Sequence, residues 1–282
     1  MVDNLELSSI CIKAFGLSHN NYWSIMNKFY LKRIASHLGT VVFTWDDNLL
    51  SHGEIIAPLF AEANKKCSFY INPGEQDFLV RFSDLYLSLK KRGFEIGSHG
   101  YTHHHFSQLN SDEYIAQLQN SRSAIDTLCH IQPTTFAFPH HDFDEKMLSQ
   151  ARNIYFETRN TLYNSVRFSL KVSTTIEEID EALRSAEQNR YTLVFSGHGA
   201  FNLDDEIDCA GYEPVSRKML TNILEVVEMH SELQICTFEQ AALKTYLHYY
   251  CKAEREAVYL TNAQIDYLKQ YGFTIERINN LL

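Results

Sequence analysis

The chain is short of positive charge, with 25 lysines and arginines against 35 acidic residues. Its 282 residues carry a formal net charge of −10 and a pI of about 5.7, so nucleic acid and anionic membrane surfaces are poor partners, whereas a neutral or cationic substrate meets less repulsion. No apolar run approaches the ~20 residues that span a bilayer. The opening residues, MVDNLELSSICIK, hold acids where an export signal has a basic stretch and an apolar core, so a cytoplasmic protein is expected. Close cysteine pairs are missing too. Cys11, Cys67, Cys129, Cys209, Cys236 and Cys251 are far apart, which excludes a zinc knuckle or a redox CxxC motif and predicts reduced, mostly buried thiols. Without repeats, low-complexity tracts or a Pro/Gly/Ser linker, one large domain is the expectation.

What is present is an alternation of short β-rich runs with longer segments of helical period, the pattern of parallel strands joined by crossover helices. Strands are predicted at 41–45, 67–71, 94–97, 135–138, 154–158, 170–173, 191–195 and 233–237. Between them, Phe78, Phe82, Leu85 and Leu89 share a helix face, as do Tyr114, Leu118, Ile125 and Leu128, and Ile176, Ile179, Leu183 and Ala186. Pro58 suits a first helical turn. Ahead of the first strand, Trp23, Met26, Tyr30 and Ile34 predict a helix capped at Gly39 that closes one end of a barrel. Past residue 240 the strand signal stops, and Thr261 with Gln264 starts a short helix ending near Gly272. The resulting division is a barrel over 1–245 and a helical extension over 246–282, the latter available for homo-oligomer or other contacts.

Four polar clusters each follow an apolar strand: Asp46 and Asp47 after VVFTW, His99 after FEIGS, His140 and His141 after TFAFP, and His198 after YTLVFSG. In a parallel α/β barrel those positions converge on one face, where active sites are built. One histidine at a strand end is ordinarily a satisfied structural residue; recurrence at equivalent positions points to function. His99 and His103 are four apart, and a helical turn there brings both rings to one side. With a carboxylate from the first strand they make an Asp/His/His set with open positions for water, which suits a catalytic divalent ion such as zinc. The bland reading of His103, His104 and His105 is a surface polar patch. Adjacent residues on an extended segment point oppositely, so of Asp46 and Asp47 one would ligate while the other takes a proton from water acidified by the ion. His198 across the mouth is the natural proton donor to a leaving amine.

These residues resemble the polysaccharide deacetylase family, also called the NodB-homology or carbohydrate esterase 4 group. FTWDDN resembles its TFDDG motif, EIGSHGYTH its H-[ST]-x-x-H motif and FAFPHHDFD a FAYPYGDYD form of its third motif, while SGHG and ICTFEQAA stand where the late histidine and closing strand and helix belong. The resemblance spans about residues 40–243. It implies a distorted (β/α) barrel with Asp46 as catalytic base, Asp47, His99 and His103 as metal ligands, His198 as general acid and a backbone amide near His140 as oxyanion donor. Four departures stand out. Asn48 replaces a glycine, and asparagine tolerates the left-handed backbone. Ala137 stands where many members have an arginine that orients the base. Gly197 precedes His198, and a tryptophan-and-aspartate fourth motif is not visible between 155 and 190.

The implied activity is hydrolysis of an N-acyl group, usually acetyl, from an amino sugar. The alternatives are an allantoinase-like or formyl-removing hydrolase of another C–N bond, and an inactive barrel that binds carbohydrate or a partner protein. Tyr101, His140, His141 and Arg159 are candidate pocket residues, with Tyr101, Phe143 and Phe201 as sugar platforms. Arg159 pairs either with a substrate carboxylate or phosphate or with a barrel carboxylate. A cytoplasmic member meets precursors, so a small or carrier-linked N-acylated sugar of surface-polysaccharide synthesis is the expected substrate.

Overall fold

Strand β1 (Thr40–Asp46) is buried along its whole length, as its β-branched and aromatic run requires of a strand covered on both faces. The computed structural model describes residues 39–75, 78–202, 213–252, 263, 266 and 267. One edge of β1 pairs with β7 (Thr192–Gly197). The other edge is shared: Thr40–Val42 pair with β10 (Gln234–Cys236), and Thr44–Asp46 with β2 (Ser68–Ile71). Beyond β2 lie β3 (Glu95–Ser98), β4 (Thr135–Phe136) and β5 (Glu157–Thr158), and β6 (Ser165–Ser169) lies outside β7. All these pairings are parallel. The sheet order runs β5-β4-β3-β2-β1-β7-β6. It is a curled, incomplete barrel with a seam between β5 and β6. A separate pair, β8 (Ala200–Phe201) and β9 (Val215–Ser216), lies past the end of β7.

Alternation along β1 sorts the core into two faces. Val41, Phe43 and Trp45 pack with Phe69, Ile71 and Phe195 against the surrounding helices. Val42 packs on the interior face with Tyr70, Ala137 and Val194, closed by Phe238 and Ala241 of α8 (Phe238–Lys252). Thr44 and Asp46 continue that interior row to the strand's C-terminal end, which carries the carboxylate into the barrel mouth.

The helices follow in chain order. A π-helical turn, His52–Ile56, leads into α1 (Ala57–Glu62), where Pro58 occupies the first turn as expected. In α2 (Phe78–Arg81) and α3 (Ser83–Lys91), Phe78, Phe82 and Leu89 are buried, but Tyr86 takes the central position and Leu85 packs at the margin. The cause is the break at Phe82 (φ −123°), which shifts the helical phase between the two pieces. Capping boxes open α4 (Ser111–Cys129; Asn110 with Glu113) and α6 (Ile176–Asn189; Thr175 with Glu178). α5 (Glu145–Ile154) and α7 (Arg217–Met229) complete the cover.

The strand expected at 170–173 is a correction: the sixth strand is Ser165–Ser169. Among the described residues it pairs only with β7, and Val166 and Arg167 are exposed, so no alternating apolar pattern marks it. Leu170, which drew the expectation, is buried just past its end and donates its N–H to Ser196 O. The helix read from Trp23 to Ile34 lies outside the described residues, as does most of the segment from Thr261 to Gly272. Tyr267 of that tail stacks on Phe156 with ring centroids 4.0 Å apart. The boundary expected at 245 falls within α8. Cys67, Cys129 and Cys236 are buried free thiols.

Opposite the mouth, Glu95 ties four elements together. Its carboxylate accepts from Ser68 Oγ (2.7 Å), Thr135 Oγ1 (2.5 Å) and the N–H of Glu239 in the first turn of α8 (2.8 Å). Burial and the nearby Glu239 carboxylate nonetheless push Glu95 up to about 7. A carboxyl whose pKa is raised on folding binds its proton more tightly in the native state, so stability declines as pH rises from the ordinary carboxylate range through about 7. Denaturation midpoints measured across that window should fall for the native protein and fall less for Glu95→Gln. Equal slopes for both would remove Glu95 as the source.

Candidate metal centre and active site

Asp46 ends β1 with its carboxylate inside the barrel, and Arg159, in the turn Arg159–Thr161 after β5, meets it with both terminal nitrogens. Arg159 Nη1 donates to Oδ1 at 2.5 Å and Nη2 to Oδ2 at 2.7 Å, while Nη1 also reaches Thr44 Oγ1 at 3.1 Å. The guanidinium rests over the Tyr70 ring at 5.1 Å from its centroid. Burial alone would raise Asp46, but the guanidinium outweighs it and holds the carboxyl well below the usual range. This settles the choice left open for Arg159. Its side chain is 2% exposed and committed to Asp46, so it is unavailable to a substrate anion.

Asp47 follows with φ 71°. The left-handed residue of this loop is therefore Asp47, and not Asn48 as expected. The Asn48 amide instead brackets the end of β2, donating to Asn72 O (2.8 Å) and accepting from Asn72 N–H (3.1 Å). The backbone reversal also overrides the strand rule that would send the two carboxylates to opposite sides. Asp46 Oδ2 and Asp47 Oδ1 both lie 3.9 Å from His99 Nε2. Burial and the adjacent Asp46 raise Asp47 to about 6.

His99 and His103 meet without the expected helical turn, for the segment after β3 is a loop. Gly100 (φ 84°) turns the chain, and the loop is pinned from several sides. The Asn72 side chain donates to His99 O, Gly74 N–H to Tyr101 O (2.7 Å), Thr102 N–H to Gln117 Oε1 (2.8 Å) and His103 N–H to Glu75 Oε1 (2.9 Å). The two imidazoles end with centroids 5.1 Å apart. His99 is buried, and its Nδ1 donates to Ala137 O at 2.8 Å, which fixes the tautomer and leaves the Nε2 lone pair facing the carboxylates. Burial pushes His99 down to about 3, so the ring is neutral, as a ligand must be. His103 Nε2 lies 3.4 Å from Asp47 Oδ1.

Asp47, His99 and His103 thus bring three donor atoms within 4.8 Å of one another. Ligands about 2.1 Å from a tetrahedral ion stand roughly 3.4 Å apart, so the group fits a divalent cation with little movement.

The remaining predicted residues are placed around this group. His198 follows directly on β7, the strand paired with β1, and is half-buried at the same end of the sheet as Asp46. Gly197 before it is explained by Trp45: a Cβ there would lie 2.9 Å from the indole ring. His140 and His141 occupy a turn after β4 with φ 55° and 57°. His140 is an exposed rim residue, stacked on His105 at 3.7 Å and edge-on to His103 at 4.2 Å. His141 is exposed beside Phe143. Tyr101 lies against Gly74, where a Cβ would come within 2.7 Å of its ring. Phe143 stacks on Phe138 at 4.7 Å, and Phe201 is half-buried.

His52 escaped the sequence reading, although His52, Ile55, Ile56 and Leu59 form one buried stripe in which it is the polar member. A carbonyl can only accept, so His52 Nε2 donates to His198 O at 2.7 Å. Burial pushes the ring down to about 4 and keeps it neutral, which makes Nδ1 an acceptor for Tyr86 O–H, 3.0 Å away. That hydroxyl also lies 3.2 Å from Asp47 O. With its one proton shared between Nδ1 and Asp47 O, the hydroxyl and His52 together link the backbones of Asp47 and His198.

Comparison with known proteins adds three findings. Residues 33–158 match the family model described as polysaccharide deacetylase, a span that holds Asp46, Asp47, His99 and His103 and stops one residue before Arg159. A chitin deacetylase of Arthroderma benhamiae is 30% identical over 73 residues, covering 26% of this chain and 20% of the relative, so the match spans about a fifth of that relative's length. Among solved structures, the Xyl-CE4 domain of a multidomain xylanase from the hindgut metagenome of Trinervitermes trinervoides superposes with a TM-score of 0.52 at 14% identity, over 72% of this chain and 89% of that one. A family 4 acetyl xylan esterase from Clostridium thermocellum, in complex with a cobalt ion, gives 0.51 at 14% over the same shares. At such identities these structures show the shared fold.

Two measurements probe the pairs just described. Arg159→Met leaves Asp46 buried without its counter-charge and should cost about 3 kcal/mol or more of unfolding free energy, whereas adding Asp46→Asn should recover part of that loss. Additive effects in this double-mutant cycle would mean that the pair is not coupled. His52→Phe keeps the ring on Phe69 but removes both hydrogen bonds, so a folded variant with kcat reduced about tenfold and little change in KM is expected from steady-state kinetics.

Proposed function

We propose, from the match of residues 33–158 to the polysaccharide deacetylase family model and from the site's geometry, that the chain is a metal-dependent hydrolase that removes an N-acyl group, most simply acetyl, from an amino sugar. The observation that carries this reading is the joint presence of the Asp47/His99/His103 donor set and a separate carboxylate, Asp46, held ionised by Arg159. An inactive binding barrel has no use for a buried ion pair beside an intact ligand set, and such a pair costs desolvation. We take zinc as the ion because one oxygen and two nitrogen donors with open positions suit it.

The roles follow from position. When bound, a divalent ion supplies Lewis acidity that acidifies water beside it, which is what lets a carboxylate as weakly basic as Asp46 accept the proton. Arg159 grips both oxygens of Asp46, fixing the orientation of the lone pairs that remain. His198, held through its carbonyl by His52, stands opposite as donor to the departing amine nitrogen, which cannot leave as an anion. The N–H groups of His141 and Asp142 are taken by Phe138 O and Pro139 O, so the His140 amide, in the left-handed turn after β4, is the one assigned to the developing oxyanion.

The buried free thiols support a reducing, cytoplasmic compartment. There the substrate is a small or carrier-linked precursor of surface-polysaccharide synthesis in preference to an assembled polymer. Purified protein should hold about one divalent ion per chain by elemental analysis and release acetate from N-acetyl amino sugars. Chelation should abolish that release, His99→Ala should lose the ion, and Asp46→Asn should keep the ion with kcat lowered at least about a hundredfold. Full turnover after exhaustive chelation would sink the metal-dependent reading.

A further inference from the structure

Arg167 is the cation that the site does not consume. On β6 it stands in register with Val194 of β7, which is in register with Val42 of β1. Side chains in one row of a parallel sheet point to the same face, so Arg167 belongs to the interior row that leads to Thr44 and Asp46. Its neighbour Phe168 confirms the sense by packing on Phe195 at 5.5 Å in the helix-facing layer. Because β6 is the sheet's edge at the seam, Arg167 is exposed although it is directed inward. On the β5 side of the seam, the turn after β4 carries the exposed His141.

The two arginines on this side of the mouth differ in what they can do. Arg159 has both terminal nitrogens on Asp46. Arg167 has no carboxylate within ion-pair distance among the described residues. Burial together with the charge of Arg159 disfavours the cation at Arg167, and burial with the charges of Arg167 and Arg159 disfavours it at His141. In a chain whose net charge is −10, a planar guanidinium without a paired carboxylate is suited to carboxylate or phosphate oxygens.

We propose that Arg167, with His141 of the turn after β4 on the other side of the seam, forms an anion subsite that selects N-acylated sugars bearing a carboxylate or phosphate group. The proposal rests on the deacylase reading above and names its substrate class. The anion would lie in the seam while the acyl group reaches the metal centre, so the charge is recognised away from the bond that breaks.

The test compares acetate release from three substrates of similar size: a neutral N-acetyl amino sugar, one bearing a uronic carboxylate, and one bearing a sugar phosphate. The native enzyme should prefer one of the anionic substrates, and Arg167→Met should lower the anionic-to-neutral ratio of kcat/KM at least about tenfold, mainly through KM, with Arg167→Lys recovering part of it. The preferred anion distinguishes carboxylate from phosphate. Acetate release with the same ratio in native enzyme and Arg167→Met overturns the subsite and leaves the deacylase reading standing. If no substrate releases acetate, the deacylase reading fails, and calorimetric titration of the folded proteins with inorganic phosphate decides the subsite separately. Binding that Arg167→Met weakens supports it; equal binding or none overturns it.

Discussion

A carboxylate cannot stay ionised inside a barrel unless something holds its charge, and the bidentate contact of Arg159 with Asp46 meets that requirement. Much of the mouth is arranged around it. The pair joins the end of β1, near the middle of the sheet, to the turn after β5 at its edge, so the sheet must curl for the contact to form. With the charge of Asp46 neutralised, Asp47 can sit beside it and still approach two histidines. The alternative at this site, an arginine from the third motif, is closed by Ala137, whose carbonyl instead orients His99.

The candidate metal ligands are placed by loops, and the loops by side chains that belong to neither motif. Asn72 and Asn48 clasp the ends of β1 and β2, Asn72 also takes the His99 carbonyl, and Gln117 and Glu75 hold the backbone that presents His103. His52 and Tyr86 do the same for Asp47 and His198 from beneath. Backbone hydrogen bonds are cheap to satisfy with water but give no fixed geometry that way. Buried amide and imidazole partners give each ligand one position, which is what a site with donor atoms within 4.8 Å needs.

The sequence by itself determined the parallel α/β class, the helix faces at Tyr114 and Ile179, and the strand-end placement of Asp46, Asp47, His99 and His198 with His103 four residues past His99, because strand-end placement and motif spacing are local properties. It did not determine where Arg159 would point, since that side chain meets Asp46 across 113 residues of chain and its turn carries no pattern of its own. It misplaced the sixth strand, whose exposed, one-sided pairing leaves no periodic signal. The left-handed turn at Asp47, the loop in place of a helical turn at His103, the role of His52 and the inward register of Arg167 were all decided by tertiary structure. In each case the deciding partner lies on another element, and a single sequence records which residues are present but not which of them meet once the sheet has curled.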